Sequence, residues 1–157
     1  KAAGAKDVYM TEKISERIEV ARKGGATWVG NPDEQDIVKD ILDIEPIVDV
    51  VYECAGQQET IDQAIELLTP GGTLMLIGIP REDRVSFSID KIRRKEITIV
   101  NVRRQNNCTA AAMDLIASGK IDVDFMITHR FKLDQAKEAF DMVAEYKDGV
   151  VKALIEF

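Results

Sequence analysis

Short apolar runs alternate with amphipathic segments along this chain, and that alternation predicts strands joined by crossover helices. Residues 8–10, 47–53, 73–79 and 97–102 read as strands, rich in Val, Ile and Leu. A helix over 15–23 is closed by Gly24-Gly25, and a second runs from about 33 to 42. The third, over 60–68, opens on Thr60-x-x-Gln63, the form of a capping box, and stops before the turn sequence Pro70-Gly71-Gly72. Within 48–52 and 74–77 apolar residues come almost without alternation, as they do when helices cover both faces of a strand. The expected fold is therefore α/β, built on a doubly wound parallel sheet. The C-terminal third changes character. It predicts an Ala-rich helix over 109–118 ending at Gly119, a strand over 126–131, a helix over 134–146 and a final strand over 150–157. Lys1-Ala2-Ala3-Gly4-Ala5 reads as the last turn of a helix stopped by a glycine, so that helix is expected to start upstream of Lys1.

Composition narrows the function. The 157 residues, 45% hydrophobic and 31% charged, suffice for one domain with a real core, and no apolar run approaches the ~18 residues of a membrane span. A formal net charge of -7 and only short basic clusters, Arg93-Arg94-Lys95 and Arg103-Arg104, argue against a nucleic-acid partner. Cys54 and Cys108 read as reduced thiols, which makes a cytoplasmic location the expectation. One His and two widely spaced Cys cannot supply the three or four ligands of a zinc site, so no metal ligand and no catalytic residue is assigned. His129, inside a strand, reads as a packing or hydrogen-bonded residue.

The candidate chemistry lies at strand ends. Glu12 follows the strand 8–10 and precedes a helix, the position at which an acidic side chain accepts hydrogen bonds from the adenosine ribose in a dinucleotide fold. Arg17 stands five residues on, where it faces either an adenine or water. Ala55-Gly56 ends one strand and Gly78 interrupts Ile77-Gly78-Ile79 near the end of the next, at the carboxyl edge where open parallel sheets bind ligands. Arg103 and Arg104, followed by Gln105, Asn106 and Asn107, form a cationic patch beyond the strand 97–102, open either to an oxygen-rich substrate or to solvent. No G-x-G-x-x-G occurs, and that fingerprint is expected upstream of Lys1.

Four segments in this order resemble the zinc-containing medium-chain alcohol and polyol dehydrogenases, most closely the sorbitol dehydrogenase branch. They are Thr11-Glu12-Lys13-Ile14-Ser15-Glu16-Arg17 with Gly25-Ala26, Asp49 through Gly56, Gly71 through Gly78, and Thr128-His129-Arg130-Phe131. The resemblance implies a truncated Rossmann-type sheet over 1–125, and a C-terminal helix and strand over 126–157 that return to a GroES-like catalytic domain. It implies an enzyme oxidising a polyol or other secondary alcohol with NAD, zinc being held only by the full-length protein and these 157 residues alone being inactive. By the same resemblance Glu12 and Arg17 fall on the ribose and adenine positions. Ala55, Ile77, Gly78, Ile79, Asn101, Val102 and Arg103 fall along the nicotinamide, and Arg103 with Arg104 reaches the substrate; the polyol branch usually has Tyr where Arg104 stands. A homodimer or homotetramer through the edge strand 97–102 is also implied. Two other readings stay open: a zinc-free enone or quinone reductase, and a non-catalytic dinucleotide-binding or assembly domain.

Overall fold

Every strand pair in the computed structural model, which describes Lys1–Phe157, is parallel, as the crossover pattern requires. The elements run β1 (Tyr9–Thr11), α1 (Ser15–Lys23), β2 (Trp28–Gly30), α2 (Ile37–Ile44), β3 (Val48–Glu53), α3 (Gln58–Leu67), β4 (Leu68–Leu76), α4 (Ile89–Arg94), β5 (Thr98–Asn101), α5 (Thr109–Ala117), β6 (Ile127–Lys132), α6 (Ala136–Ala144) and β7 (Lys152–Glu156). The strands hydrogen-bond in three groups, β1-β2, β3-β4-β5 and β6-β7. Two compact units divide the chain, one formed by Asp36–Thr109 and the other by Lys1–Gln35 together with Ala110–Phe157.

In the contiguous unit, α3 places Ile61, Ala64 and Ile65 on one face at the 3.6-residue period, and these are buried with Leu68 and Leu74 as the core. Val51, Leu76, Phe87, Ile92, Ile97 and Ile99 close around them. Complete burial of an Ile or Leu side chain contributes roughly 1.5–3 kcal/mol, so this cluster holds the three-stranded sheet against its helix. The C-terminal end of α3 is capped in an unusual way. The Lys95 ammonium donates to the carbonyls of Ile65 (2.9 Å), Glu66 (2.8 Å) and Leu68 (2.9 Å), setting a cation where the helix dipole is negative. Burial, and then Lys91, lower the Lys95 pKa below its ordinary value.

The capping box expected at Thr60 and Gln63 does not form. Helix α3 starts two residues earlier, at Gln58, and the Thr60 hydroxyl is drawn away to the Glu53 carboxylate at 2.7 Å. Gln63 instead reaches back along its own helix to Glu59. Pro70-Gly71-Gly72 lies inside β4 as an irregularity: Val48 pairs with Leu68 and Val50 with Thr73, so residues 69–72 loop out between two register positions. Gly71, at φ +81°, takes the left-handed turn there and donates its N–H to the Lys95 carbonyl at 2.7 Å.

The discontinuous unit is tied together from both ends of the chain. Arg17 in α1 donates through Nε and Nη2 to the Val150 carbonyl at 3.2 and 2.9 Å and lies over the Tyr146 ring at 4.9 Å. Gly149 passes so close to Glu16 that a Cβ on it would come 2.8 Å from that side chain. His129 is a packed residue, as expected: its ring stacks on Phe131 with centroids 6.3 Å apart, and its nitrogens meet Thr128 Oγ1 at 2.9 Å and Asp148 Oδ2 at 3.2 Å.

Candidate functional site

The carboxyl ends of β3, β4 and β5 lie side by side in the contiguous unit, with Glu53, Leu76 and Asn101 in register across the sheet. Beyond them the chain crosses itself at very short range. Gly56, at φ +69°, runs so close to the next loop that a Cβ would sit 2.6 Å from the Ile79 carbonyl carbon. A Cβ on Gly78 would meet Glu53 Oε2 at 2.6 Å and Gly56 Cα at 2.7 Å, with Gly56 N nearer still. Only a glycine at each crossing point lets the two backbones touch. The crossing brings Ala55, Ile77, Gly78 and Ile79 to one edge, with Ile79 left 87% exposed. Val102 joins that edge by donating its N–H to the Leu76 carbonyl at 3.0 Å. Arg103 and Arg104 follow as exposed residues, Arg104 at φ +56°.

Glu53 sits at the centre of the crossing. Its side chain is buried, 4% exposed, and Oε1 accepts from Ala55 N (2.8 Å), Gly56 N (2.8 Å) and Thr60 Oγ1 (2.7 Å). Its main-chain carbonyl accepts from Ile77 N and Gly78 N, both at 2.9 Å. Sequence reasoning passed over Glu53. The available signal was an acid ending an apolar strand, with glycine three residues later and a hydroxyl seven residues later. The neighbouring Cys54 thiol is pushed up from its ordinary pKa by partial burial and then by the Glu53 charge, so it is a poor thiolate.

In the other unit Glu12 stands at the end of β1. Its Oε1 accepts from the backbone N–H groups of Lys13 (2.8 Å) and Ile14 (3.0 Å), and its own N–H donates to the Gly30 carbonyl at 3.1 Å. The carboxylate thus orders the turn into α1, whose N-cap Ile14 has no side-chain oxygen to offer. Only Oε1 is used in this. The Arg17 guanidinium donates to the carbonyl of the buried Val150 and lies over the Tyr146 ring. An open groove of about 700 Å³ borders Glu12, lined among others by Met10, Val20 and Phe125.

The sequence profile of the zinc-binding dehydrogenases matches residues 1–118. The chain belongs to that family. Among relatives it is 29% identical to the sorbitol dehydrogenase of Bacillus subtilis (strain 168) over 99% of this chain and 44% of that protein. It is 33% identical to the L-threonine 3-dehydrogenase of Pyrococcus horikoshii over 99% of this chain and 46% of that one. A zinc-binding dehydrogenase of Sinorhizobium meliloti 1021, solved bound to NADP, superposes with a TM-score of 0.86 at 31% identity, covering 98% of this chain and 46% of the other. The chain therefore spans less than half the length of the relatives it matches, and the α/β fold with parallel pairing is theirs. For a zinc-binding dehydrogenase its own side chains are unsuited to the metal: no three or more His, Cys, Asp or Glu residues are grouped to hold an ion. No helix is long and apolar enough to cross a membrane.

Proposed function

We propose that this chain is the nicotinamide-dinucleotide-binding part of a dehydrogenase that oxidises a polyol or another small secondary alcohol, and that it takes NAD in preference to NADP. The observation that carries the reading is the glycine-on-glycine crossing at the carboxyl ends of β3 and β4, where bare backbone is offered at the edge that binds ligands in open parallel sheets. Bound there, the nicotinamide would accept hydride from the alcohol. Ala55, Ile77, Gly78, Ile79, Asn101 and Val102 hold and orient it, and Arg103 with Arg104 supplies the cationic side toward an oxygen-rich substrate. Residues 1–125 serve the dinucleotide, and 126–157 form the segment that returns toward a catalytic domain. Since these side chains do not fit zinc, no step through the metal is assigned to them, and the 157 residues alone are expected to turn over no alcohol. The exposed edge of β5 is assigned to pairing between two copies of the protein.

Cofactor choice rests on Glu12. Its carboxylate is fixed at the end of β1 by two backbone donors, both on Oε1, and the ribose hydroxyls are assigned to the remaining acceptor capacity. A 2′-phosphate in that place would meet a like charge and forfeit the hydroxyl contacts. Hydrogen bonds to charged groups contribute about 1.5–3 kcal/mol, so the preference for NAD is expected to be roughly 10- to 100-fold. Calorimetric titration of the parent and of Glu12→Ser with both dinucleotides tests this, since a serine hydroxyl can still accept from the turn N–H groups. Loss of the NAD preference in the variant supports the reading. An unchanged ratio would leave Glu12 with its turn-ordering role alone.

A further inference from the structure

We propose that Glu53 is a positioning residue for the dinucleotide: its buried carboxylate and its own carbonyl together fix the two crossing loops, and so set nicotinamide-end affinity without touching the ligand. The inference rests on the cofactor reading above.

Burying a carboxylate is costly unless hydrogen bonds replace its water, and here no cation offsets the charge. The structure meets that cost with three donors on one oxygen, Ala55 N, Gly56 N and Thr60 Oγ1, all at 2.7–2.8 Å. The side chain therefore fixes the loop after β3. The main-chain oxygen of the same residue fixes the loop after β4, through Ile77 N and Gly78 N at 2.9 Å. Both loops are thus referenced to one residue, and the space left by the absent Gly78 Cβ is filled in part by Glu53 Oε2. A strand end that needed only a local turn would be served by a serine or asparagine at lower desolvation cost. What the carboxylate adds is a fixed offset between the Ala55-Gly56 turn and residues 77–79, with Ala55 and residues 77–79 assigned to the nicotinamide.

A neutral amide cannot reproduce this arrangement. In Glu53→Gln one orientation aims NH2 at the N–H groups of Ala55 and Gly56, donor against donor. The other leaves a weaker, uncharged acceptor facing three donors. Thr60→Val keeps the charge and removes one donor of the three. NAD and ADP are titrated calorimetrically into the full-length protein with the parent sequence, with Glu53→Gln and with Thr60→Val. ADP carries the adenosine and both phosphates, but neither the nicotinamide nor its ribose. The expected result is a roughly 10-fold loss of NAD affinity in Glu53→Gln and a smaller loss in Thr60→Val, with ADP affinity within twofold of the parent in both. Amide exchange of Gly56 and Gly78 should quicken in the same order. A general structural role would lower both ligands together, and that result, or NAD affinity unchanged in both variants, would overturn the proposal. Should Glu53→Gln not fold, Thr60→Val decides by the same split. Failure of the parent to bind NAD would instead refute the cofactor reading, and this inference with it.

Discussion

Adding one methyl group at Gly78 should destabilise the chain more than adding it at Gly71, although Gly71 has the less permissive backbone. Gly71 sits at φ +81° with nothing within 4 Å of a built Cβ, so Gly71→Ala meets only the left-handed penalty. That penalty is about 1–2 kcal/mol, offset in part by reduced freedom of the unfolded chain, which leaves roughly 1 kcal/mol. Gly78 has no positive φ, but its Cβ would enter 2.6 Å from Glu53 Oε2 and 2.7 Å from Gly56 Cα. Those separations lie about 1 Å inside the ~3.5–4.0 Å optimum for nonbonded carbon. The obstacle on one side is backbone, which cannot rotate away, and on the other a carboxylate held by three donors. Overpacking of this kind typically costs 1–3 kcal/mol, and the rigid surroundings place Gly78→Ala at about 3 kcal/mol. With a urea m-value of about 2 kcal/mol/M, the midpoint should fall by roughly 1.5 M for Gly78→Ala and 0.5 M for Gly71→Ala. Urea unfolding followed by far-UV circular dichroism measures both. Equal midpoints for the two variants, or a Gly78→Ala midpoint matching the parent, would show that the loops separate freely and that the crossing is not tight.

Removing the Lys95 ammonium by Lys95→Met should cost about 2 kcal/mol, because three carbonyls at the end of α3 lose a charged donor, and Tm should drop by about 4–8 °C; a change under 2 °C would mean water caps the helix equally well. The open edge of β5 should be probed at Val100, which is 38% exposed, because Ile99 packs into the core. Val100→Lys is expected to convert sedimenting dimers to monomers, and a persistent dimer would place the contact elsewhere. The Cys54 thiol, raised above its ordinary value of 9.0, should react with iodoacetamide at pH 8 more slowly than an unhindered model thiol, with the gap closing as pH rises. Because this folded-state pKa is raised, the associated stability is present below about pH 9 and is lost as pH climbs through the folded value. A Cys54 rate equal to that of the model thiol at pH 8 would contradict the assignment.

The elements with strong periodicity are legible in the sequence itself. Helix α1 spans the same 15–23 that the Gly24-Gly25 stop predicts, and β3 and β5 fall inside their predicted runs. Trp28–Gly30 escaped notice because Trp-Val-Gly sits between Thr27 and the turn-forming Asn31-Pro32 with no apolar run around it, and β1 alone defines that strand by pairing with it. Helix α4 escaped as well: Ile89–Arg94 is mostly charged and buries none of its residues, leaving no apolar stripe to read. Thr60 misled because a capping box is a local pattern, whereas its hydroxyl answers to a carboxylate seven residues back that only the fold brings near. Glu12 was legible as an acid at a strand end. Arg17 was not legible as a tether, since Val150 lies 133 residues away in sequence and no local pattern encodes such a contact.

The Arg17–Val150 tether also bears on the order of folding. Asp36–Thr109 is continuous in sequence, so it can gather its core as soon as those residues leave the ribosome. The other unit waits for Val150, because α1 is completed by a carbonyl that is made 133 residues later. Closing a flexible loop of that length costs about 4 kcal/mol of chain entropy, and prior folding of the inserted residues shortens the effective loop and lowers that cost. A nascent chain stalled before residue 150 should therefore hold a protease-resistant Asp36–Thr109 with cleavable flanking segments, and synthesis past Val150 should protect the flanking segments together.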